Sequence, residues 1–333
     1  MKAAIIALAL AGLACAPAPR AGDDVAIVEE SAVIVWDPAA KMEHFIRRAT
    51  FRGKGRDFGF LVPTPAVPAL AEVDDSLFDK LEARTQRGTV YVTRRKLDLT
   101  PLAILLFPRG ETAVSGAAPP VEVLATQKVG GYEAAVLSAT DAAALQRWLA
   151  EHGYASTEDL AAWLDAYVRR QWKITAFKID ATQRAARTSA VKMSFAAERP
   201  FFPYREPASQ RRDALEVRAL NVWFLGPERV AGTIGEKTLW PGVLRRSDPL
   251  PDALRADVMR IAGLALPAPV CMTAFVDTST VRPGDDDLFF ARAAVQSAYV
   301  EPPYVVTDTK KIHVPLDVVL IAAVIVFVLI RRA

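Results

Sequence analysis

Short apolar runs with period-two alternation recur along most of the chain, which predicts many strands and few helices. Residues 25–36, VAIVEESAVIVW, and 43–51, EHFIRRATF, are the first two predicted strands. The third lies in FGFLVPTP, 58–65, where strand-favouring Phe58, Phe60, Leu61 and Val62 run into Pro63 and Pro65. Those two prolines remove backbone donors and force an extended exit. Short connections between the three predict an antiparallel meander. Asp74 is then placed to cap a helix over 75–83, with Leu77, Phe78 and Leu81 on one face. Further strands are predicted at 90–93 and 102–107, followed by a loop at 109–120. Segments 121–129 and 132–138 flank Gly130-Gly131, a signal for a tight hairpin.

Two helices follow. The first, 142–152, carries Leu145, Trp148 and Leu149 at helical spacing and stops at Gly153. The second starts at Ser156, with Asp159 as the far half of a capping box. Leu160, Trp163, Leu164, Tyr167 and Val168 form its stripe. Strands at 174–179, 191–195, 215–225 and 272–276 continue the β-rich pattern, with a short helix at 252–262 and an acidic turn at 282–290. The expected fold class is α+β: antiparallel sheets with a central helical pair, as one body or as two halves divided near 173–187.

The two ends read differently. Met1-Lys2 followed by AAIIALALAGLA resembles a charged n-region and a short apolar h-region, so residues 1–21 are expected to be a signal peptide. Cleavage after Ala14 would make Cys15 the first mature residue, leaving lipidation, simple cleavage and a retained N-terminal helix as alternatives. The segment 314–330, VPLDVVLIAAVIVFVLI, opens on Val314, closes on Ile330 and is followed by Arg331-Arg332. From Val318 onward it is apolar on every face, as a membrane-spanning helix requires. At about 1.5 Å per residue it reaches about 25 Å, somewhat short of a hydrocarbon core of about 30 Å. The expected plan is a signal peptide (1–21), an extracytoplasmic body (22–309) and a single-pass anchor with a short cytoplasmic tail (310–333). That places the protein in the cell membrane.

Composition narrows the partners. Lys2, Arg331 and Arg332 account for the whole excess of basic over acidic side chains, so the body between the ends is neutral. A neutral body argues against nucleic acid or an anionic-lipid surface as the main partner and leaves room only for a local patch. Cys15 and Cys271 are the two cysteines, enough for one disulfide but not for a disulfide framework.

Several stretches, taken in order, resemble one family: EESAVIVWD, KMEHFIRRATF, FGFLVPTP, VGGYEAAVL, LQRWLAEHGY with LAAWLDAYV, ITAFKI, FFPYREP and TAFVDTSTVRPGDDDLFF. Their series, covering most of 29–290, is similar to the domain-of-unknown-function 2330 family of bacterial exported proteins. The resemblance implies export and often a C-terminal anchor, and it supplies no catalytic residue.

The chain lacks a nucleophile elbow, a zincin helix, a phosphate loop and a dinucleotide fingerprint. No cofactor is implied. His44, His152 and His313 have no metal-ligand spacing. Two constellations remain. Asp285, Asp286 and Asp287, with Asp277 nearby, offer hard oxygens of the kind calcium prefers, although three adjacent carboxylates cannot all face one ion. Glu43, His44, Arg47, Arg48 and Asp57 could line a cleft around FGFLVPTP. Three functions fit: a membrane-tethered module that binds an envelope protein or ligand, an envelope hydrolase using His44 with Glu43 or Asp57, or a structural envelope component.

Overall fold

The computed structural model describes residues 16–18, 24–54, 57–98, 133–138, 142–154, 157–180, 185–208, 218–313 and 316–332. Residues 1–15 with Cys15, the predicted strand 102–107, the loop 109–120 and the glycine-centred hairpin up to residue 132 lie outside the described residues.

In chain order the first elements are β1 (Ala16–Ala18), β2 (Asp24–Asp37), β3 (Met42–Lys54), β4 (Asp57–Thr64), β5 (Ala69–Val73), α1 (Ser76–Thr85) and β6 (Thr89–Asp98). Next come β7 (Glu133–Leu137), the helices α2 (Ala142–Glu151) and α3 (Glu158–Val168), β8 (Lys173–Asp180), β9 (Ala185–Arg187) and β10 (Ala190–Ala196). The run continues through β11 (Phe201–Phe202), β12 (Ala219–Gly226), β13 (Val230–Ile234), β14 (Thr238–Leu239), β15 (Val243–Pro249) and α4 (Asp252–Ala262). It closes with β16 (Cys271–Asp277), β17 (Leu288–Arg292), β18 (Tyr299–Val300), β19 (Tyr304–His313) and α5 (Leu316–Arg332). The fold is α+β with mostly antiparallel sheets. The chain divides into two compact units: 1–86 with 128–301, and 87–127 with 302–333.

The first unit is built on a nine-stranded sheet ordered β18-β15-β16-β12-β2-β3-β10-β5, with β9 also on β3. β2 and β3 pair antiparallel as their alternation predicts, and β2 pairs parallel with β12 on its other side. A second sheet, β1-β4-β8-β7, and a third, β11-β17-β13-β14, have four strands each.

The predicted meander stops after β3. β4 leaves for the second sheet, where Phe60 pairs with Phe177 of β8. In that sheet β4 is buried on both faces. Phe58, Phe60 and Val62 join the apolar core shared with the nine-stranded sheet, while Leu61 joins the core under α2 and α3. The opposite face of the nine-stranded sheet presents Val33, Val35, Ile46 and Trp223 to α1 and α4. The layers are α1 with α4, the nine-stranded sheet, the two four-stranded sheets packed on its other face, and α2 with α3 against the sheet that holds β4.

The helical pair lies where its stripes predict, with Leu145, Leu149, Leu160, Trp163 and Leu164 turned to Leu61, Ile174 and Ala176. Its second helix is capped one residue later than expected. Thr157 accepts from the Leu160 N–H at 3.2 Å, a bond that Thr supplies as well as Ser would. At α1, Asp74 accepts from the Ser76 N–H at 2.9 Å, while Asp75 reaches across to the Ala190 N–H at 2.9 Å and ties the helix start to β10. Gly263 ends α4 in the left-handed region, at φ 60°, where a side chain would be strained. Residues 173–187, the expected division, run through β8 and into β9 of this unit.

The second unit contains β6 and β19, paired parallel along their whole length from Tyr304↔Thr89 to His313↔Asp98, and then α5. Among the described residues no helix is long and apolar enough to cross a membrane.

Candidate functional site

Alternation decides which charges meet in the first unit. On β2, Glu30 shares a face with Ala32 and Ile34; on β3, Arg47 shares one with Phe45 and Ala49. Both faces look into the core between the two sheets. Glu30, Leu220 of β12 and Asp277 of β16 lie on one rung. Arg218, just before β12, and the loop residues Tyr204, Glu206 and Arg282 close over this rung. Three carboxylates and three guanidinium groups are thereby buried together.

The contacts form a chain. Arg47 donates to Glu30 Oε1 from Nε at 3.0 Å and pairs with it through Nη2 at 2.7 Å. Arg218 pairs with Glu206 at 3.3 Å, and Arg282 lies 4.0 Å from the same Glu206 oxygen. Arg282 Nε stands 3.6 Å from Asp277, and its Nη2 donates to the Arg218 carbonyl at 2.8 Å. Asp277 accepts from the Tyr204 hydroxyl at 2.8 Å, the Trp240 indole at 3.1 Å and the Ser279 N–H at 2.9 Å.

Burial raises Glu30 against the pull of Arg47 and Arg282. It pushes Glu206 up to about 7, against Arg218 and Arg282. Burial also works on Asp277, but Arg282 and the Ser279 and Tyr204 donors outweigh it and hold this carboxyl below its ordinary value. Burial and the adjacent Asp277 charge raise Tyr204.

A second group surrounds Asp287. This buried carboxylate accepts from the Tyr167 hydroxyl of α3 at 2.7 Å and lies 3.6 Å from Arg170. Burial pushes it up to about 6, opposed by the Tyr167 hydrogen bond. Asp286 pairs with Arg205 at 2.9 Å and also lies 3.5 Å from Arg170, and Asp285 is exposed. Asp286 and Asp287 thus share Arg170, Asp285 stands apart in solvent, and Asp277 belongs to the other cluster. Among the described residues no group of three His, Cys, Asp or Glu side chains could hold a metal ion.

The residues expected around a cleft are parted by the two-residue period of β3. Glu43 looks inward with Arg47 and accepts from the Phe201 N–H at 2.9 Å, and burial pushes it well above the usual carboxylate range. Its neighbour His44 looks the other way, half-buried, with Nδ1 2.8 Å from Ser194 Oγ. Desolvation and nearby Lys192 lower it. Arg48 lies on that second face, over the Phe78 ring and 3.5 Å from Asp79. Asp57 opens β4 opposite Asp180. Glu43 and His44 are thus on opposite faces and cannot share a reacting atom. Beside Arg47 a cavity of about 20 Å³, walled by Phe51, Phe60, Phe177 and Ile179, has room for about one water.

No motif or spacing along the chain points to the Glu30, Glu206, Arg218 and Arg282 cluster. Its one visible signal is a charge in an apolar run, Glu30 within VAIVEESAVIVW.

These shifts have a pH consequence. Glu206 and Asp287, like Glu30 and Glu43, bind protons more readily folded than unfolded. Between the ordinary carboxylate range and about 7 the folded state thus holds more protons, and stability falls as pH rises through that window. The melting temperature is expected to drop by about 4 °C or more from pH 5 to pH 8. A melting temperature that rises or stays level over that interval would show these acids to be ionised in the fold.

No curated protein matches the chain. Among solved structures, baculovirus P35 aligns at 6% identity and a TM-score of 0.41, covering 82% of this chain and 98% of that one. A mutated baculovirus P35 after caspase cleavage aligns at 7% identity and a TM-score of 0.30, covering 81% and 98%. A caspase-8/P35 complex gives 5% identity and a TM-score of 0.30, covering 82% and 94%. A family model described as an uncharacterized protein conserved in bacteria, DUF2330, matches residues 9–236, which include Glu30, Arg47, Glu206 and Arg218. The chain belongs to this bacterial family.

Proposed function

We propose that the protein is a membrane-tethered, extracytoplasmic module that binds another component of the cell envelope. The observation that supports it most is the β6·β19 ribbon. Tyr91 is 77% and Val305 63% exposed, and Val90, Val92, Tyr304 and Val306 also face solvent. The ribbon has two strands, a parallel pairing and apolar residues on both faces. Parallel strands are ordinarily covered on both faces, and a lone pair is marginal in water. Such a surface is suited to a partner. The buried Arg47, Arg218 and Arg282 guanidinium groups of the first unit, by contrast, are paired with buried carboxylates.

The tether in this reading is 314–330. Its helical part is 316–330, the stretch of α5 before Arg331, which reaches about 23 Å. A span this short is accommodated by local bilayer thinning, with Arg331 and Arg332 reaching to headgroups. Lys310 and Lys311 on one flank offset Arg331 and Arg332 on the other, so the flanking charges set no direction. Orientation rests on the N-terminal segment, which resembles a signal peptide.

A photo-crosslinking residue at position 91 is expected to give a discrete product in intact cells, and Val305→Glu is expected to abolish it. The same crosslinker at exposed Glu198 serves as the control. Absence of any product at 91 beyond the control would overturn the binding reading.

A further inference from the structure

The parallel register of the ribbon does more than align apolar residues. It sets Thr309 beside Arg94, Lys310 beside Arg95 and Lys311 beside Lys96. Five cations fall on three consecutive rungs, drawn from two segments more than two hundred positions apart. At about 3.3 Å per residue these rungs occupy about 7 Å, within one Debye length at physiological salt. Successive rungs alternate between the two faces of the ribbon, so both faces of this band carry positive charge within that length. None of the six residues on these three rungs is a carboxylate. Asp308 sits on the rung before, and Asp98 two rungs beyond. Arg94 and Lys310 are exposed. Composition conceals the band, because the body as a whole is neutral.

We infer that this band docks on anionic headgroups of a bilayer, at the surface that α5 enters. The inference rests on the tethered reading above and adds to it a lipid preference and a second segment of contact. Continuity of the chain favours a bilayer over other polyanions. Lys311 is five residues before Leu316, the first residue of α5, so at most about 17 Å of chain separates them. A cationic cluster next to an apolar helix is drawn to anionic lipid by about fivefold in affinity per basic residue near the surface. The three cations that come from β6 have no sequence proximity to α5. The strand pairing alone brings them there.

The test uses the full chain reconstituted in vesicles of phosphatidylcholine alone, and in the same vesicles carrying phosphatidylglycerol. The rate of amine modification at Lys310 is followed by mass spectrometry, with exposed Lys237 of the other unit as the reference. Lys310 is expected to react about tenfold more slowly in the anionic vesicles, and molar salt should erase the difference. Replacing Arg95→Gln with Lys96→Gln is expected to remove about half of the protection, measured on a logarithmic scale, which a merely neighbouring lysine pair would not show. Arg94→Gln alone, at an exposed position, supplies a milder variant with a smaller loss in the same direction.

Equal Lys310 rates in the two vesicles would overturn the headgroup assignment while leaving the tether standing. Failure to reconstitute into either vesicle would overturn both. Equal protection by a duplex oligonucleotide without lipid would reassign the band to nucleic acid and overturn the inference.

Discussion

Replacing Arg282 with methionine is expected to cost about 3–5 kcal/mol of unfolding free energy, because it leaves buried carboxylates without their partner. Arg282 is fully buried and stands between Glu206 and Asp277. Its Nη2 also satisfies the carbonyls of Arg218 and Asp277, at 2.8 and 3.3 Å. Removal strands both acids in the core and frees two acceptors. The combined variant Arg282→Met, Glu206→Gln, Asp277→Asn is expected to recover part of the loss, since neutral amides are cheaper to bury than carboxylates. Urea unfolding followed by tryptophan fluorescence measures both. A loss below about 1 kcal/mol for the single variant would mean that water already reaches the cluster.

Phe60→Ala is expected to destabilise by a similar amount, about 3–5 kcal/mol, for a different reason. Its ring is 1% exposed, packs edge-on to Phe51 at 5.5 Å between centroids, and carries the Arg47 guanidinium 3.8 Å from its centre. Truncation enlarges the cavity beside Arg47 and removes the surface on which that guanidinium lies. The Glu30–Arg47 pair then loses its apolar cover, so the melting temperature of this variant should also become more sensitive to salt. Phe60→Leu keeps more of the volume and should cost less. A denaturation midpoint shifted by an amount equivalent to less than about 1 kcal/mol, with an unchanged slope, would show that the sheets close over the gap.

Much of the secondary structure was legible, because strand and helix leave different periods. The stripe Leu160, Trp163, Leu164, Tyr167, Val168 allowed no element but a helix facing a core. Pairing was less legible. β2 and β3 are joined by a tight turn and pair as neighbours do, but β4 joins β8, and β2 takes β12 on its far edge. Local pattern records that a strand is buried on two faces; it does not record which strands supply the cover. The charged cluster was illegible for the same reason, since residues 30, 47, 206, 218, 277 and 282 meet only through topology. The separation of Glu43 from His44, in contrast, follows from adjacency on a strand, and could have been read directly.

The parallel pairing of β2 with β12 also constrains how the chain comes to be folded. Glu29 pairs with Ala219, which is synthesised roughly 190 residues later. At synthesis rates of about 5–20 residues per second, one edge of a central strand waits on the order of ten to forty seconds for its neighbour. During that interval an apolar edge is available to any other nascent strand, and closing so long a loop slows the final step further. A chain of this design would gain from holding assistance until its last third has emerged. Its yield in heterologous expression should therefore depend on chaperone supply and growth temperature more than on the stability of the finished fold.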